Sequence, residues 1–112
     1  MAQDRMHRVN EAIRQVLADA LSSELADPRL GFVTVTDIRT SPDLRSARAY
    51  VSVLGDEIAR EDSLAALRSA HGLLQGRIAA QLRLRRTPTL EFHYDATTDR
   101  ALRVESLLRE QS

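Results

Sequence analysis

The side chains with the greatest capacity for chemistry in this sequence are arginines in a segment without acidic residues. Residues 63–90 contain no Asp or Glu, and their five basic residues are Arg68, Arg77, Arg83, Arg85 and Arg86. A guanidinium group can hold a phosphate through two parallel hydrogen bonds, so such a cluster suits a phosphate-bearing partner. Because the formal net charge of the chain is zero, the remaining residues are acidic overall. We therefore expect a polarised protein with one basic surface.

All basic residues in the chain are Arg and none is Lys. A GC-rich genome would produce the same bias, so the bias alone does not indicate phosphate binding. The placement of the arginines is the more informative observation.

Near the middle of the acid-free segment, Ser69-Ala70-His71-Gly72 interrupts a helical pattern. Gly72 and Gly76 each cost about 1 kcal/mol relative to Ala inside a helix, so the sequence predicts a break between Ala70 and Gly72. A helix that begins there offers free backbone N–H groups and a positive dipole end to a phosphate. Alternatively, Gly72 only lets two helices pack closely and the arginines are solvated charges. The residues alone leave both interpretations open.

Catalytic and metal-binding chemistry have little support in the sequence. The three histidines, His7, His71 and His93, have no evident nucleophile and orienting acid beside them. Asp95 and Asp99 could form a carboxylate pair, but near a helix start they serve more simply as caps. Without Cys the chain has no disulfides and no thiolate metal sites. We predict a protein that is not an enzyme and that needs neither a cofactor nor a metal.

The elements that position these side chains follow from hydrophobic periodicity in a chain of 112 residues, a length typical of one domain. The patterns predict a helix over 4–25 with Asp4 as its N-cap, and strands over 32–39 and 45–54 that form an antiparallel hairpin. A broken helical stretch follows from residue 57 or 63 to 84, then a strand over 90–94. A short C-terminal helix or tail completes the single domain 1–112.

The apolar positions of the broken helical stretch and of the chain as a whole fit a globular protein. The buried stripe of that stretch is predicted at Leu64, Leu67, Leu74, Ile78 and Leu82, with Ala70 and Ala79 filling in. No apolar run reaches the ~18 residues needed to cross a bilayer, and none is placed as the core of a signal peptide. We expect a cytoplasmic protein without a membrane partner.

Three kinds of RNA-binding module can be compared with this order of elements. The sheet-based kind has a βαββαβ order and displays aromatic side chains on its strands, whereas this chain has two Tyr, two Phe and no Trp. The OB-fold needs five strands, and three are predicted. A KH-like unit joins helices at a Gly-containing loop and packs them on a three-stranded sheet. The predicted α+β order, α-β-β-α-kink-α-β with a C-terminal helix, fits this last kind.

The sequence also resembles the bacterial ribosome-binding factor A family over nearly its whole length. The matching stretches are Arg8-Val9 with Ile13; Asp27-Pro28-Arg29-Leu30-Gly31-Phe32; Val33-Thr34-Val35-Thr36-Asp37; Ser41-Pro42-Asp43-Leu44; Tyr50-Val51-Ser52-Val53-Leu54-Gly55; Leu82-Arg83-Leu84-Arg85-Arg86-Thr87-Pro88; Phe92-His93-Tyr94-Asp95; and residues 103–108. The chain departs from the family in its lack of Lys and of any long C-terminal extension.

The resemblance implies a type II KH fold in which an Ala-x-Gly kink, here Ala70-His71-Gly72, replaces the usual GxxG loop. It further implies a monomeric factor that binds the free small (30S) ribosomal subunit and its 16S rRNA and promotes late 16S rRNA processing. A functional link to ribosome-assembly GTPases is left open. We predict RNA contacts at Arg68, Ala70, His71, Gly72, Arg77, Arg83, Arg85 and Arg86, with Arg5, Arg8 and Arg48 as secondary candidates.

Two other functions remain open at this point. One is a generic KH-like module that binds single-stranded RNA and has no connection to ribosomes; the missing GxxG argues against it. The other is a protein-interaction adaptor whose Arg-rich face pairs with an acidic partner.

Overall fold

The sheet forms where the sequence alternates between apolar and polar side chains. A computed structural model describes residues 2–23 and 25–110, without the side chains of residues 2–4 and 98–103. Its elements are α1 (Ala2–Ser23), β1 (Phe32–Thr40), β2 (Ser46–Leu54), α2 (Glu57–Ser69), α3 (His71–Leu82), β3 (Thr89–Tyr94) and α4 (Thr97–Glu110). This order confirms the predicted α+β architecture with a broken helix pair.

The three strands pair in the order β1-β2-β3. The strands β1 and β2 form the predicted antiparallel hairpin, with Val33 opposite Val53 and Ile38 opposite Ala49, and the register shifts between Val35 and Asp37. Strand β3 runs parallel to β2, so the segment between them has to cross the sheet, and α2 and α3 make that crossing. Strands β1 and β3 are therefore the two edges.

One face of the sheet packs against the helices and forms the core. Along β2, Ala47, Ala49 and Val51 are fully buried, whereas Arg48 between them is exposed. Side chains from the other elements that precede α4 complete the core: Ile13, Val16, Leu17 and Ala20 of α1, Val35 and Ile38 of β1, Leu67 of α2, Leu74 and Ile78 of α3, and Leu90 and Phe92 of β3. The opposite face of the sheet is polar except at one end of the hairpin, where the paired residues Phe32 and Leu54 are exposed.

Several predicted boundaries were wrong by a few residues. Helix α1 spans Ala2–Ser23, so Asp4 lies inside the helix and is not its N-cap. The broken stretch begins at Glu57, the earlier of its two predicted starts, where the Asp56 carboxylate accepts a hydrogen bond of 2.8 Å from the Ala59 N–H and caps the helix. It ends at Leu82 and not at residue 84, because Arg83 adopts the left-handed conformation (φ 48°, ψ 40°) that terminates α3.

Two details of the apolar pattern also differ from the prediction. Ala79 is exposed, and Leu64, Ala70 and Leu82 are only half-buried against the core, because α2 and α3 face the core over less of their length than the pattern indicates. The C-terminal helix α4 has 14 residues, and its apolar side chains Val104, Leu107 and Leu108 are exposed. The side chain of Leu102, another apolar residue of this helix, lies outside the described residues.

Candidate nucleic-acid interface

The break in the helical stretch is centred on one residue, Ala70. Its backbone (φ −87°, ψ 8°) leaves the helical region and serves both as the C-cap of α2 and as the N-cap of α3. The Ala70 N–H still donates to the Ala66 carbonyl at 3.0 Å. No side chain caps the start of α3, and this start is the positive dipole end of the helix. The predicted break is therefore present.

Gly72 and Gly76 both face open space. A Cβ atom added to either glycine would meet no atom of another element within 4 Å, and both residues are exposed. The interpretation that Gly72 allows two helices to pack closely is therefore wrong. Each glycine weakens α3 by about 1 kcal/mol relative to Ala. Close packing within the fold does not explain either glycine.

Side chains on the two helices cover the outer edge of β3. The Arg68 guanidinium donates to the Phe92 carbonyl at 3.4 Å, and the His71 Nε2 lies 3.1 Å from the Leu90 carbonyl. The Gln75 amide donates to the Pro88 carbonyl at 2.5 Å, and its oxygen accepts from the Leu90 N–H at 3.0 Å. These contacts fix the helix break against the edge of the sheet.

This arrangement sets the orientation of two predicted RNA contacts. A carbonyl oxygen only accepts hydrogen bonds, so the His71 Nε2 carries the proton in its contact with Leu90. A groove of about 320 Å³ lies between the break and β3, and it is lined by Arg68, His71, Leu90, Glu91, Phe92 and His93. Gln75 had no distinguishing signal in the sequence, and its role as the link to β3 was missed.

The loop between α1 and β1 contacts α2 next to the break. The Arg29 guanidinium bonds the Asp27 carboxylate at 2.7 Å and the Ser69 hydroxyl at 3.0 Å. The hydrogen bonds from Arg29 lower the pKa of the Asp27 carboxyl below its usual value. The Gly31 N–H donates to the buried Ser63 hydroxyl at 3.0 Å. The second half of the loop is thus joined to the middle and to the end of α2. A second groove of about 440 Å³ lies between the first half of the loop and the end of α2.

The remaining predicted residues fall into three places. Arg77 is half-buried on α3 and Arg83 is exposed at its end, and Arg85 and Arg86 are exposed in the link to β3. Arg5 and Arg8 are exposed on α1, which packs beside α3. Arg48 is exposed on β2, on the face of the sheet opposite to the helices. The structure therefore places the other candidates on the helical side of the molecule and Arg48 apart from them.

Two further properties of the described residues bear on function. None of the helices in the described part of the chain is long and apolar enough to cross a bilayer. Within the same residues, no group of three or more His, Asp or Glu side chains could hold a metal ion.

A three-stranded sheet with a parallel outer strand, helices on one face and a helix break at an Ala-x-Gly sequence define a KH-like domain. The family model described as ribosome-binding factor A matches residues 5–108. The chain belongs to the ribosome-binding factor A family.

Solved structures of this family are similar to the chain. Ribosome-binding factor A from Thermus thermophilus is 32% identical, with a TM-score of 0.70, and the match covers 80% of this chain and 94% of that one. A putative ribosome-binding factor A from Thermotoga maritima is 36% identical, with a TM-score of 0.72, over 80% of this chain and 85% of that one.

A third similar structure is of a complex. It is a homology model of the Thermus thermophilus factor fitted into a cryo-electron microscopy map of a 30S complex. It is 34% identical to this chain, with a TM-score of 0.64, and the match covers 77% of this chain and 90% of that one.

Proposed function

We propose that this protein binds the free 30S subunit through 16S rRNA and promotes late maturation of that RNA without a catalytic step. The observation that supports the proposal most directly is the uncapped start of α3 beside the exposed Gly72. A helix start of this kind can hold a phosphate through its N–H groups, and Gly72 lets the RNA backbone approach without a side chain in the way. Membership of the ribosome-binding factor A family supports the 30S subunit as the source of that RNA.

The charge distribution supports the same surface. Four arginines of the acid-free segment lie on α3 or on the link that follows it: Arg77, Arg83, Arg85 and Arg86. An RNA strand that starts at the break and follows α3 would therefore meet guanidinium groups. Arg5 and Arg8 on the neighbouring helix α1 extend the basic surface. Arg68 and His71 line the groove between the break and β3, where an unstacked nucleotide would reach them.

The mechanism follows from binding energy alone. A factor that holds one conformation of an immature rRNA more tightly than another shifts the population toward the first, by as much as the difference in affinity. The protein acts in this proposal as a monomer in the cytoplasm, where ribosomes are assembled. Its release from the completed subunit would use a change in the rRNA surface, and a ribosome-assembly GTPase is one agent that could cause that change.

Sedimentation with purified ribosomal particles tests the proposal. We expect the protein to co-sediment with free 30S subunits and to associate weakly with 50S subunits and intact ribosomes. Equal recovery in the three fractions would overturn the choice of subunit. A generic single-stranded RNA binder would bind deproteinised rRNA fragments from both subunits alike, whereas a protein adaptor would keep its binding after the subunits are treated with nuclease.

A further inference from the structure

A group of four side chains lies on the face of the sheet that the helices leave open. Arg48 and Tyr50 of β2 alternate with the buried Ala47, Ala49 and Val51, and His93 of β3 follows the buried Phe92. Arg39 of β1 lies directly opposite Arg48 in the hairpin register. We call Arg39, Arg48, Tyr50 and His93 the open-face cluster. Arg39, Arg48 and Tyr50 lie across the sheet from the helix break, whereas His93, on the edge strand β3, also lines the groove beside Arg68 and His71.

The two rings of the open-face cluster form one aromatic surface. Tyr50 and His93 are direct neighbours across β2 and β3, with ring centroids 5.7 Å apart and planes inclined by 35°. The Arg39 guanidinium lies 5.9 Å from the centroid of the Tyr50 ring, within the range of a cation–π contact. His93 is exposed and Tyr50 is half-buried, so a planar ligand has access to both rings.

The two arginines of the open-face cluster are neighbours on adjacent strands, and their charges repel each other. Like charges directly opposite in an antiparallel pair are destabilising, and Arg39 and Arg48 are such a pair. The Asp37 carboxylate offsets Arg39 through an ion pair of 3.1 Å. The Arg48 guanidinium makes no hydrogen bond or ion pair with any described residue, although Glu91 is the register partner of Arg48 on β3. An anion at Arg48 would relieve this repulsion.

We infer that the open-face cluster binds one unstacked base of a single-stranded RNA on Tyr50 and His93, with an adjacent phosphate at Arg48. This inference rests on the proposed function only in taking RNA as the partner. Proteins hold unpaired bases on aromatic rings and on guanidinium planes and pair the adjoining phosphates with basic side chains. The ring pair and the unpaired guanidinium meet that requirement together. An acidic peptide would use the arginines but would leave the rings without a partner.

The location of the cluster has a consequence for the bound RNA. Because Arg39, Arg48 and Tyr50 of the cluster lie across the sheet from the helix break, a base held by the cluster belongs to a segment other than the one at the break, or to a strand that passes around the edge. The chain would then have two RNA contacts on two faces. Arg48, which stands apart from the other predicted contacts, would belong to the second.

A single-stranded hexaribonucleotide with one 2-aminopurine base is a suitable probe, because the fluorescence of this base falls when it stacks. We expect wild-type protein to quench the probe on binding. Tyr50→Val, which keeps a good strand former on an open face, should weaken binding about 10-fold, within the usual cost of losing one stacked base. Tyr50→Phe keeps the ring and should bind as wild type does.

The charge of the cluster is tested separately. Arg48→Gln should weaken binding of the probe and reduce the slope of log K against log salt by about 0.7, the value for one phosphate contact to a single strand. Arg14→Gln, which removes an exposed arginine from α1 on the helical side, is the matched control and should leave the slope unchanged. Circular dichroism and thermal melts check that each variant is folded.

The outcomes distinguish this inference from the proposed function. Failure of the wild-type protein to quench the probe, or equal quenching by Tyr50→Val and wild type, would overturn the open-face cluster as a base site while 30S co-sedimentation stands. Competition by a poly-glutamate peptide as effective as competition by unlabelled hexaribonucleotide would overturn it in favour of an acidic protein partner. Loss of 30S co-sedimentation by the wild-type protein would overturn the proposed function and leave the probe result unaffected.

Discussion

The His71 Nε2 lies 3.1 Å from the Leu90 carbonyl oxygen and joins the first residue of α3 to the outer edge of β3. One turn earlier, the Arg68 guanidinium donates to the Phe92 carbonyl, two residues after Leu90. One turn later, the Gln75 amide donates to the Pro88 carbonyl, two residues before Leu90. An edge strand with unpaired groups can pair with another chain. Here helix side chains occupy those groups, so the surface proposed to bind RNA also protects the sheet edge.

Gln75 is expected to contribute most to this connection, because it makes both an N–H···O and an O···H–N contact with β3 and the residue before it. Gln75→Ala leaves the Pro88 carbonyl and the Leu90 N–H without that partner and should lower the free energy of unfolding by about 2 kcal/mol. Urea denaturation measures the change. Gln81→Ala, an exposed position on the same helix, is the control and should change it by less than ~0.5 kcal/mol. Equal effects of the two variants would contradict the role of Gln75.

Gly72→Ala should stabilise the protein and weaken its binding to 30S subunits. The added methyl meets open space, so the free energy of unfolding should rise by about 1 kcal/mol and the melting temperature by about 4 °C. The same methyl would hold an RNA phosphate away from the start of α3 and should reduce affinity about 10-fold, the value of a lost hydrogen bond to a charged group. Thermal melts and co-sedimentation measure the two effects.

Gly76→Ala is the matched control for this variant, because it makes the same change one turn further along α3, also in open space. It should raise the melting temperature to a similar extent and leave 30S affinity unchanged. If both variants bind as wild type does, the exposed backbone at Gly72 has no part in binding.

Arg83→Gly separates binding from folding at the end of α3. Arg83 has φ 48°, a conformation that costs an ordinary residue about 1 kcal/mol and costs glycine little. The variant should therefore be as stable as the wild type or more so, while the slope of log K against log salt for rRNA binding falls by about 0.7 to 0.9. An unchanged slope would show that Arg83 is a solvated charge.

A charge reversal extends the test to Arg77. Arg77→Glu should weaken rRNA binding, whereas Arg109→Glu, at an exposed position on α4, should have little effect. The ion pair of Arg109 with Glu105 is exposed and contributes little to stability. Arg60 is the poorer control, because its guanidinium lies 3.8 Å from the centroid of the half-buried Tyr94 ring. Equal affinities of the two variants for rRNA would contradict a specific contact between Arg77 and RNA.

Asp27 should titrate below its usual range for as long as Arg29 is present. The hydrogen bonds from Arg29 lower the pKa of the Asp27 carboxyl in the folded protein, so the interaction stabilises the fold above the unfolded pKa and is lost as pH falls through the folded pKa. Carbon-detected NMR of the Asp27 carboxyl gives its pKa directly. Arg29→Gln should raise that pKa toward its ordinary value and reduce the acid dependence of unfolding; an unchanged pKa would contradict the contact.

The parts of the fold that depend on short-range patterns could be predicted from the sequence. The hairpin followed from a β-branched run, a turn at Ser41-Pro42-Asp43 and an alternating second run. The helix break followed from two glycines that have no other justification in the sequence. The end of α3 could not be predicted, because a left-handed Arg83 has no local signal comparable with a glycine. The register shift beside Thr36 depends on contacts between distant segments, including the Thr36 hydroxyl with the Asp95 carboxylate at 2.6 Å.

The candidate site was predictable in charge and unpredictable in geometry. Composition placed the basic residues in one segment, and it could not show that Gly72 faces open space or that Gln75 reaches β3. The pairing of Tyr50 with His93 requires the parallel register of β2 and β3, and nothing in either strand alone specifies it.

The parallel pairing of β2 with β3 bears on the order in which the chain folds. The hairpin joins β1 to β2 through a short turn, whereas β3 reaches β2 only after residues 55–88 have crossed the sheet. Pairings between distant segments form late because chain entropy is lost before their contacts are gained. Strand β3 and the helix side chains on its edge should then be the last part to form and the first to open. Local opening at the break would expose the Ala70 region to an incoming strand while the hairpin remains folded.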